Sequence, residues 1–286
     1  MRKEEKIMNY ADIKIADVAN GKGVRVSLFV SGCNHHCKGC FNQCAWDFNY
    51  GNKFTEKEEQ KIIEYMDHDY IEGLSLLGGE PLEPKNQEGL LPLVKEVKEK
   101  FPNKNIWCYT GFDFEKDVMG KMAKNSQTTR ELLKYIDVVV DGKFEEDKKD
   151  LKLQFRGSSN QRILDVKEYL SKIFMLDMIC LNEDRHLNNL AIIMNGDKFT
   201  PAPIFDNGIA LLTANQSVNR HFPIADNVKR VVARPFSGSH EKMMEYFGKG
   251  FSVDVNSALD WLDTEPDSME RNVLKYQIER YKGILN

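Results

Sequence analysis

Cysteine placement constrains this chain more than any other feature. Four of its six cysteines fall between Cys33 and Cys44, three of them with C-x3-C-x2-C spacing in the run Gly32-Cys33-Asn34-His35-His36-Cys37-Lys38-Gly39-Cys40. At 286 residues the chain is long enough to bury a core without disulfide staples. The start, MRKEEKIMNY, has charge but no apolar stretch behind it, so the expected compartment is the cytoplasm, where clustered thiols bind metal. Thiolates are soft ligands suited to iron–sulfur clusters, and three of them leave one iron of a four-iron cluster open to another ligand. Two alternatives stand beside this reading: zinc completed by His35, His36 or Cys44, and cysteines that only pack.

The cysteine loop follows a strand-like run, Val24 to Val30, closed by Ser31-Gly32. Thr55 with Glu58 three residues on predicts a helix start. Strands are expected at Gly73–Leu77, Asn105–Thr110 and Ile136–Val140, and helices at Thr55–Tyr65, Leu90–Lys100 and Thr129–Tyr135. This alternation predicts an α/β fold with a parallel, helix-covered sheet, and ligands at the edge where its strands end. From about Leu170 the pattern turns mostly helical, with a polar loop at Asn182–Asn189 and a strand-like pair around Ala191–Phe205, so two domains are expected, 1–170 and 171–286.

Charge excludes little but points away from nucleic acid. Up to Leu170 there are 27 basic and 29 acidic residues, and after it 13 and 15. Neither part is a basic module, and no apolar run is long enough to span a bilayer, so neither nucleic acid nor membrane is an expected partner.

The cysteine spacing resembles that of the radical S-adenosylmethionine enzymes. A second element, Gly78-Gly79-Glu80-Pro81, stands after the second predicted strand, as in that family. The match narrows with Gly21-x-Gly23-Val24-Arg25, SLFVSGCNHHCKGCFN (27–42), WCYTGF (107–112), VDGKFE (140–145) and RGSSNQR (156–162). The segment from about residue 10 to 170 is thereby similar to the activating enzymes of anaerobic (class III) ribonucleotide reductases. The resemblance implies a partial (β/α)6-type barrel, a [4Fe–4S] cluster on Cys33, Cys37 and Cys40, and S-adenosylmethionine as the second cofactor. It implies that the cluster splits S-adenosylmethionine, and that the radical produced takes a hydrogen from a glycine of the reductase's large subunit. The electron donor would be reduced flavodoxin or a similar protein. Gly78, Gly79, Glu80 and Pro81 would contact the cofactor, with Glu80 accepting from its amino group, and Arg25, Arg156, Ser158 and Asn160 are further binding candidates. Asn20 and Lys22 stand where the family more often has Asp and Pro, and Glu80 where close relatives often have Asp.

A second resemblance begins near Ile173. FMLDMICLNEDRHLNNLAII (174–193) and APIFDNGIALL (202–212) look like the catalytic half of HipA-type serine/threonine kinases. It implies Asp184 as base, with Asn189 and Asp206 on magnesium. No glycine-rich phosphate loop or nucleotide-pairing lysine is free upstream, so the expectation is an incomplete kinase C-lobe, and kinase activity is only the alternative function.

Overall fold

In the computed structural model, residues 8–185, 192–195, 198–201, 210–213 and 221–286 are described. The chain divides into two compact units: Met1–Val166 with Ile193–Thr200, and Lys167–Ile192 with Pro201–Asn286.

The first unit is built on seven strands: β1 (Asn9–Asp17), β2 (Val24–Val30), β3 (Asn52–Lys53), β4 (Ile71–Gly78), β5 (Asn105–Tyr109), β6 (Val138–Asp141) and β7 (Arg162–Asp165). They lie in the order β3-β1-β2-β4-β5-β6-β7. The central four, β2-β4-β5-β6, are parallel. Their sequences are almost continuously apolar because both faces are covered; Val26, Leu28, Leu74, Leu76, Ile106 and Val139 are fully buried. Strands β1, β3 and β7 pair antiparallel at the edges. The sheet is therefore mixed rather than all-parallel. It has four parallel strands joined by three helical crossovers and flanked by antiparallel strands.

Helix α1 (Glu56–Met66) starts at the Thr55–Glu58 capping box, where the Glu58 carboxylate accepts the Thr55 N–H at 3.1 Å. That bond and the one from the Thr55 hydroxyl hold the Glu58 carboxyl below its ordinary range. Helix α2 (Pro84–Lys100) begins a turn and a half before the expected Leu90, because Pro84 suits a first-turn position and Asn86 and Gln87 are buried in spite of their polarity. The third crossover is a π-helical stretch, Phe114–Met122, running into α3 (Ala123–Asn125) and then α4 (Gln127–Leu133), which Ser126 caps.

The register sets the site. Val30 of β2 lies opposite Gly78 of β4, and Leu76 of β4 opposite Cys108 of β5. The loops after β2, β4, β5 and β6 therefore leave the sheet from one edge, where α/β folds bind ligands.

The second unit holds α5 (Val166–Cys180, whose first residue belongs to the first unit), α6 (Ile224–Val228), α7 (His240–Phe247), α8 (Val255–Thr264), α9 (Met269–Arg280) and α10 (Lys282–Leu285). The hairpin β8 (Ile192–Asn195) and β9 (Lys198–Pro201) lies where a strand pair is expected. Phe174 packs within this unit, its ring 5.6 Å from Phe236 and 5.0 Å from Phe247. The Asp177 carboxylate and Arg185 guanidinium form a fully buried pair at 2.9 Å. Among the described residues no helix is long and apolar enough to cross a membrane.

The β6–β7 pairing carries a charged cluster. Arg162 pairs with the buried Asp141 and, at 2.6 Å, with Glu115, while Asp141 also accepts the Phe114 N–H at 2.8 Å. Burial holds the Glu115 carboxyl above its ordinary range, opposed by Arg162. Glu115 thus binds its proton more readily folded than unfolded. Its contribution favours the fold at low pH and is lost as pH rises through the carboxylate range. Arg162→Ala strands two carboxylates, and a cost of about 3 kcal/mol is expected. In urea melts at neutral pH the variant should be clearly destabilised, and the deficit should shrink on acidification as Glu115 takes up its proton; a deficit that grows on acidification would contradict the assignment.

Candidate metal centre

The cysteine loop leaves β2 at Ser31-Gly32 and is held from below by backbone. The Gly32 N–H donates to the Ala45 carbonyl at 2.8 Å, Cys33 N–H to Trp46 at 3.1 Å, and Cys40 N–H to Cys37 at 3.2 Å. Gly39, just before the third cysteine, has φ of +73°, and a Cβ there would sit 2.8 Å from the Glu146 carboxyl. Glycine is the residue that makes this turn without strain.

Cys33, Cys37 and Cys40 all line one cavity of about 540 Å³. Burial pushes the Cys33 thiol up to about 11, with the nearby Glu80 and Cys37 adding to it. Burial also raises Cys37, opposed by the Phe144 N–H and reinforced by Cys40. Burial thus disfavours the thiolate form of Cys33 and Cys37, a cost that a bound cationic cluster would offset. Cys44 does not join them: it is exposed, and its Sγ donates to the Asn42 side chain at 3.3 Å. The histidines are likewise engaged elsewhere, His35 with Glu80 at 2.9 Å and His36 against the Trp46 ring at 4.6 Å. Three thiol donors on one cavity, with Cys44 and His36 off its wall and His35 held by Glu80, fit an iron–sulfur cluster better than zinc. Among the described residues no three His, Cys, Asp or Glu side chains converge as a single-ion site.

The second element meets the loop directly. Gly79 N–H donates to the Val30 carbonyl at 2.7 Å and Glu80 N–H to Gly32 at 2.8 Å. A Cβ on Gly79 would come within 2.6 Å of the Gly32 oxygen, so only glycine permits this approach. The Asn86 amide ties the pair from behind, donating to Ser31 at 3.0 Å and to the Glu80 carbonyl at 2.9 Å. Gly78, Gly79 and Glu80 line the cavity; Pro81 is buried outside its wall. The Glu80 carboxylate also binds protein donors: its Oε1 accepts the Leu82 N–H at 2.9 Å and its Oε2 the Gly111 N–H at 2.7 Å, with His35 Nε2 at 2.9 Å from Oε2.

The other predicted residues separate. Arg156 lines the cavity and donates to the Gln161 carbonyl at 2.7 Å. Ser158 and Asn160 face their own loop: the Ser158 hydroxyl accepts from Glu145 N–H at 3.3 Å, and the Asn160 amide donates to Lys143 at 2.8 Å. Arg25 is a correction. It is fully buried, bound to Ser75 Oγ at 2.7 Å, Asn105 Oδ1 at 2.7 Å and the Leu74 carbonyl at 2.8 Å, with Trp107 stacked beneath it. It braces the interior beneath the sheet's strands instead of lining the cavity. Asp141, the last residue of β6, is likewise fully buried, against Arg162.

Sequence reasoning misses Tyr109, Phe144, Lys149 and Gln161, all in the cavity wall. Tyr109 closes a β-strand and reads as core, yet its hydroxyl is buried without a hydrogen-bond partner. Lys149 and Gln161 sit in polar segments with no periodicity to mark them. Phe41 and Leu151, both on the cavity, are 93% and 90% exposed.

In the second unit, Asp184 is half-buried, with its N–H on the Asn182 side chain at 3.1 Å. Asn182 and Arg185 both bond Asp177, and His240 contacts the Asn182 carbonyl at 3.2 Å. The predicted magnesium residues Asn189 and Asp206 lie outside the described residues.

Comparison with known proteins agrees with this centre. Residues 19–164 match the model of the family described as 4Fe-4S single cluster domain. A relative from Pasteurella multocida (strain Pm70) is 44% identical over 164 residues, covering 57% of this chain and 100% of the relative. One from Haemophilus influenzae (strain ATCC 51907 / DSM 11121 / KW20 / Rd) is 46% identical over 158 residues, 54% of this chain and 97% of the relative. One from Enterobacteria phage T4 is 44% identical over 156 residues, 54% of this chain and 93% of the relative. All three are named anaerobic ribonucleoside-triphosphate reductase-activating protein. The family match ends at residue 164, before the second unit begins.

After anaerobic reconstitution the chain should carry about four irons and absorb broadly near 400 nm. Cys33→Ala, Cys37→Ala and Cys40→Ala should each lose most of both signals, and Cys44→Ala should keep them. Full iron content in Cys37→Ala would refute the ligand set.

Proposed function

The chain belongs to the family of anaerobic ribonucleoside-triphosphate reductase-activating proteins, and from that premise we propose that it is a radical S-adenosylmethionine activase that installs the glycyl radical of the anaerobic reductase. The observation that carries the reading is the meeting, on one cavity, of three thiols from the loop after β2 and the Gly78-Gly79-Glu80 turn after β4. A [4Fe–4S] cluster held by Cys33, Cys37 and Cys40 would supply the electron for reductive cleavage of S-adenosylmethionine, the chemistry that would end in a glycyl radical on the reductase.

The chain's own residues do the rest. Cys33, Cys37 and Cys40 would hold the cluster, and three thiolates on four irons would leave a coordination position for the cofactor. Gly78 and Gly79 offer backbone at close range, and Arg156 and Lys149 bring positive charge to the same cavity, suited to a carboxylate. The exposed Phe41 and Leu151, both lining the cavity, give it an apolar rim that suits a polypeptide substrate. The partner is then the large subunit of the reductase, and the electron comes from reduced flavodoxin or a similar carrier. Nucleic acid and membrane have no place in this reading.

With the reductase, S-adenosylmethionine and a reductant, electron paramagnetic resonance should show a glycyl doublet. Cofactor cleavage without any doublet would point to a different hydrogen donor, and no cleavage at all would remove the reading.

For the second unit we propose a kinase C-lobe-like fragment that does not phosphorylate proteins by itself. The buried Asp177–Arg185 pair, with Asn182, gives the loop bearing Asp184 a rigid base. Phosphoryl transfer also needs a lid and a lysine on the phosphates, and this chain's sequence offers neither. Incubation with labelled ATP and magnesium should leave the chain unlabelled; stoichiometric label lost in Asp184→Ala would overturn this.

A further inference from the structure

The side chain between the first two cysteines is not spare. His35 projects from the cysteine loop into the cavity wall, with its side chain 8% exposed. Its Nε2 lies 2.9 Å from Glu80 Oε2, and its ring packs edge-on to Phe112 with centroids 4.4 Å apart. The seat is shaped for the ring: a Cβ on Gly111 would stand 2.5 Å from His35 Cδ2 and 2.7 Å from Nε2. Glu80 does not need the imidazole for its own satisfaction. Each carboxylate oxygen already accepts a backbone N–H, Leu82 on Oε1 and Gly111 on Oε2. The extra bond therefore serves the loop. Through it one carboxylate joins the ends of three adjacent strands: β2 by His35, β4 by Glu80 itself, and β5 by Gly111.

We propose that His35 is a positioning residue that, by hydrogen bonding Glu80, fixes the Cys33–Cys37 segment against the Gly78-Gly79 turn at the separation S-adenosylmethionine requires. This rests on the S-adenosylmethionine reading above, because a ligand that bridges the cluster and the turn meets both only at one spacing. A loop held by backbone bonds on one side alone can fold and take up iron, yet offer that spacing only part of the time. Binding then weakens in proportion to the competent fraction.

The test compares His35→Gln, which keeps a side-chain donor toward Glu80, with His35→Phe, which keeps a ring against Phe112 and removes the donor. Reconstituted proteins are compared at matched iron content, with His35→Leu in place of His35→Phe if the latter holds too little. Iron loading should be close to wild type in both. The dissociation constant for S-adenosylmethionine should rise about tenfold in His35→Phe and stay within about threefold in His35→Gln. The change in the reduced cluster's paramagnetic spectrum on adding S-adenosylmethionine should be kept in His35→Gln and diminished in His35→Phe at subsaturating cofactor. In a double-mutant cycle, His35→Phe should add little to Glu80→Gln, because the one acts through the other. Wild-type affinity in His35→Phe, equal losses in the two His35 variants, or additive losses with Glu80→Gln would each overturn the proposal. A wild-type protein that binds no S-adenosylmethionine would instead overturn the reading beneath it.

Discussion

Two strands ending level with each other underlie the rest of the structure. Val30 lies across from Gly78 in the parallel register, and the chain turns off the sheet on both sides of that pair. The Gly79 N–H then reaches back to the Val30 carbonyl, and the Glu80 N–H to Gly32. A shift of one residue in this register would reverse the faces of β4 and carry Glu80 away from Gly111 and Leu82. The apolar run of β4, buried from Gly73 to Leu77, makes such a slip costly. Sheet packing and the geometry of the metal centre are thus set by one pairing.

Above that pairing the site is mostly backbone. Gly32, Cys33, Gly79 and Glu80 are placed by main-chain bonds, and the side chains that help, Asn86 and Glu80, are buried. Backbone placement tolerates sequence change at exposed positions. Lys22, exposed in the turn between β1 and β2, is such a position, whereas Asn20 in the same turn is half-buried, lines the cavity and donates to Asp17 at 2.6 Å.

Much of this is legible in the amino-acid sequence. The cysteine spacing, the Gly-Gly-Glu-Pro turn and the central strands β2, β4, β5 and β6 follow from local residue type and apolar runs, and the structure places them where expected. What escapes is set by non-local geometry. Strand β1 shows little of its pairing in its composition, since several of its residues face solvent; only its partners β2 and β3 define it. The start of α2 is hidden because Asn86 and Gln87 are polar but buried, Asn86 on the cysteine loop's backbone and Gln87 on the Leu82 carbonyl and Thr129. Arg25 resembles a binding residue and proves to be a brace, since sequence shows a charge but not the acceptors around it. Glu80 stands out for its chemistry, whereas its partners from Leu82 and Gly111 cannot be read from spacing. Tyr109 and Lys149 reach the cavity from strand and loop positions that carry no signature of their own.

The seat at Gly111 has a consequence for the order of events during synthesis. The cysteines are made early, but the N–H that shares Glu80 with His35 belongs to the residue after Thr110, beyond α2 and β5. A nascent chain that has emerged only through the cysteine loop has thiols without a wall to hold them, and its contacts to Ala45, Trp46, Glu80 and Gly111 close over steadily larger sequence separations. Contacts of that kind form late. Iron delivered before that point would meet an unshaped ligand set, so the wall around the thiols is complete only once the chain has been made through Gly111.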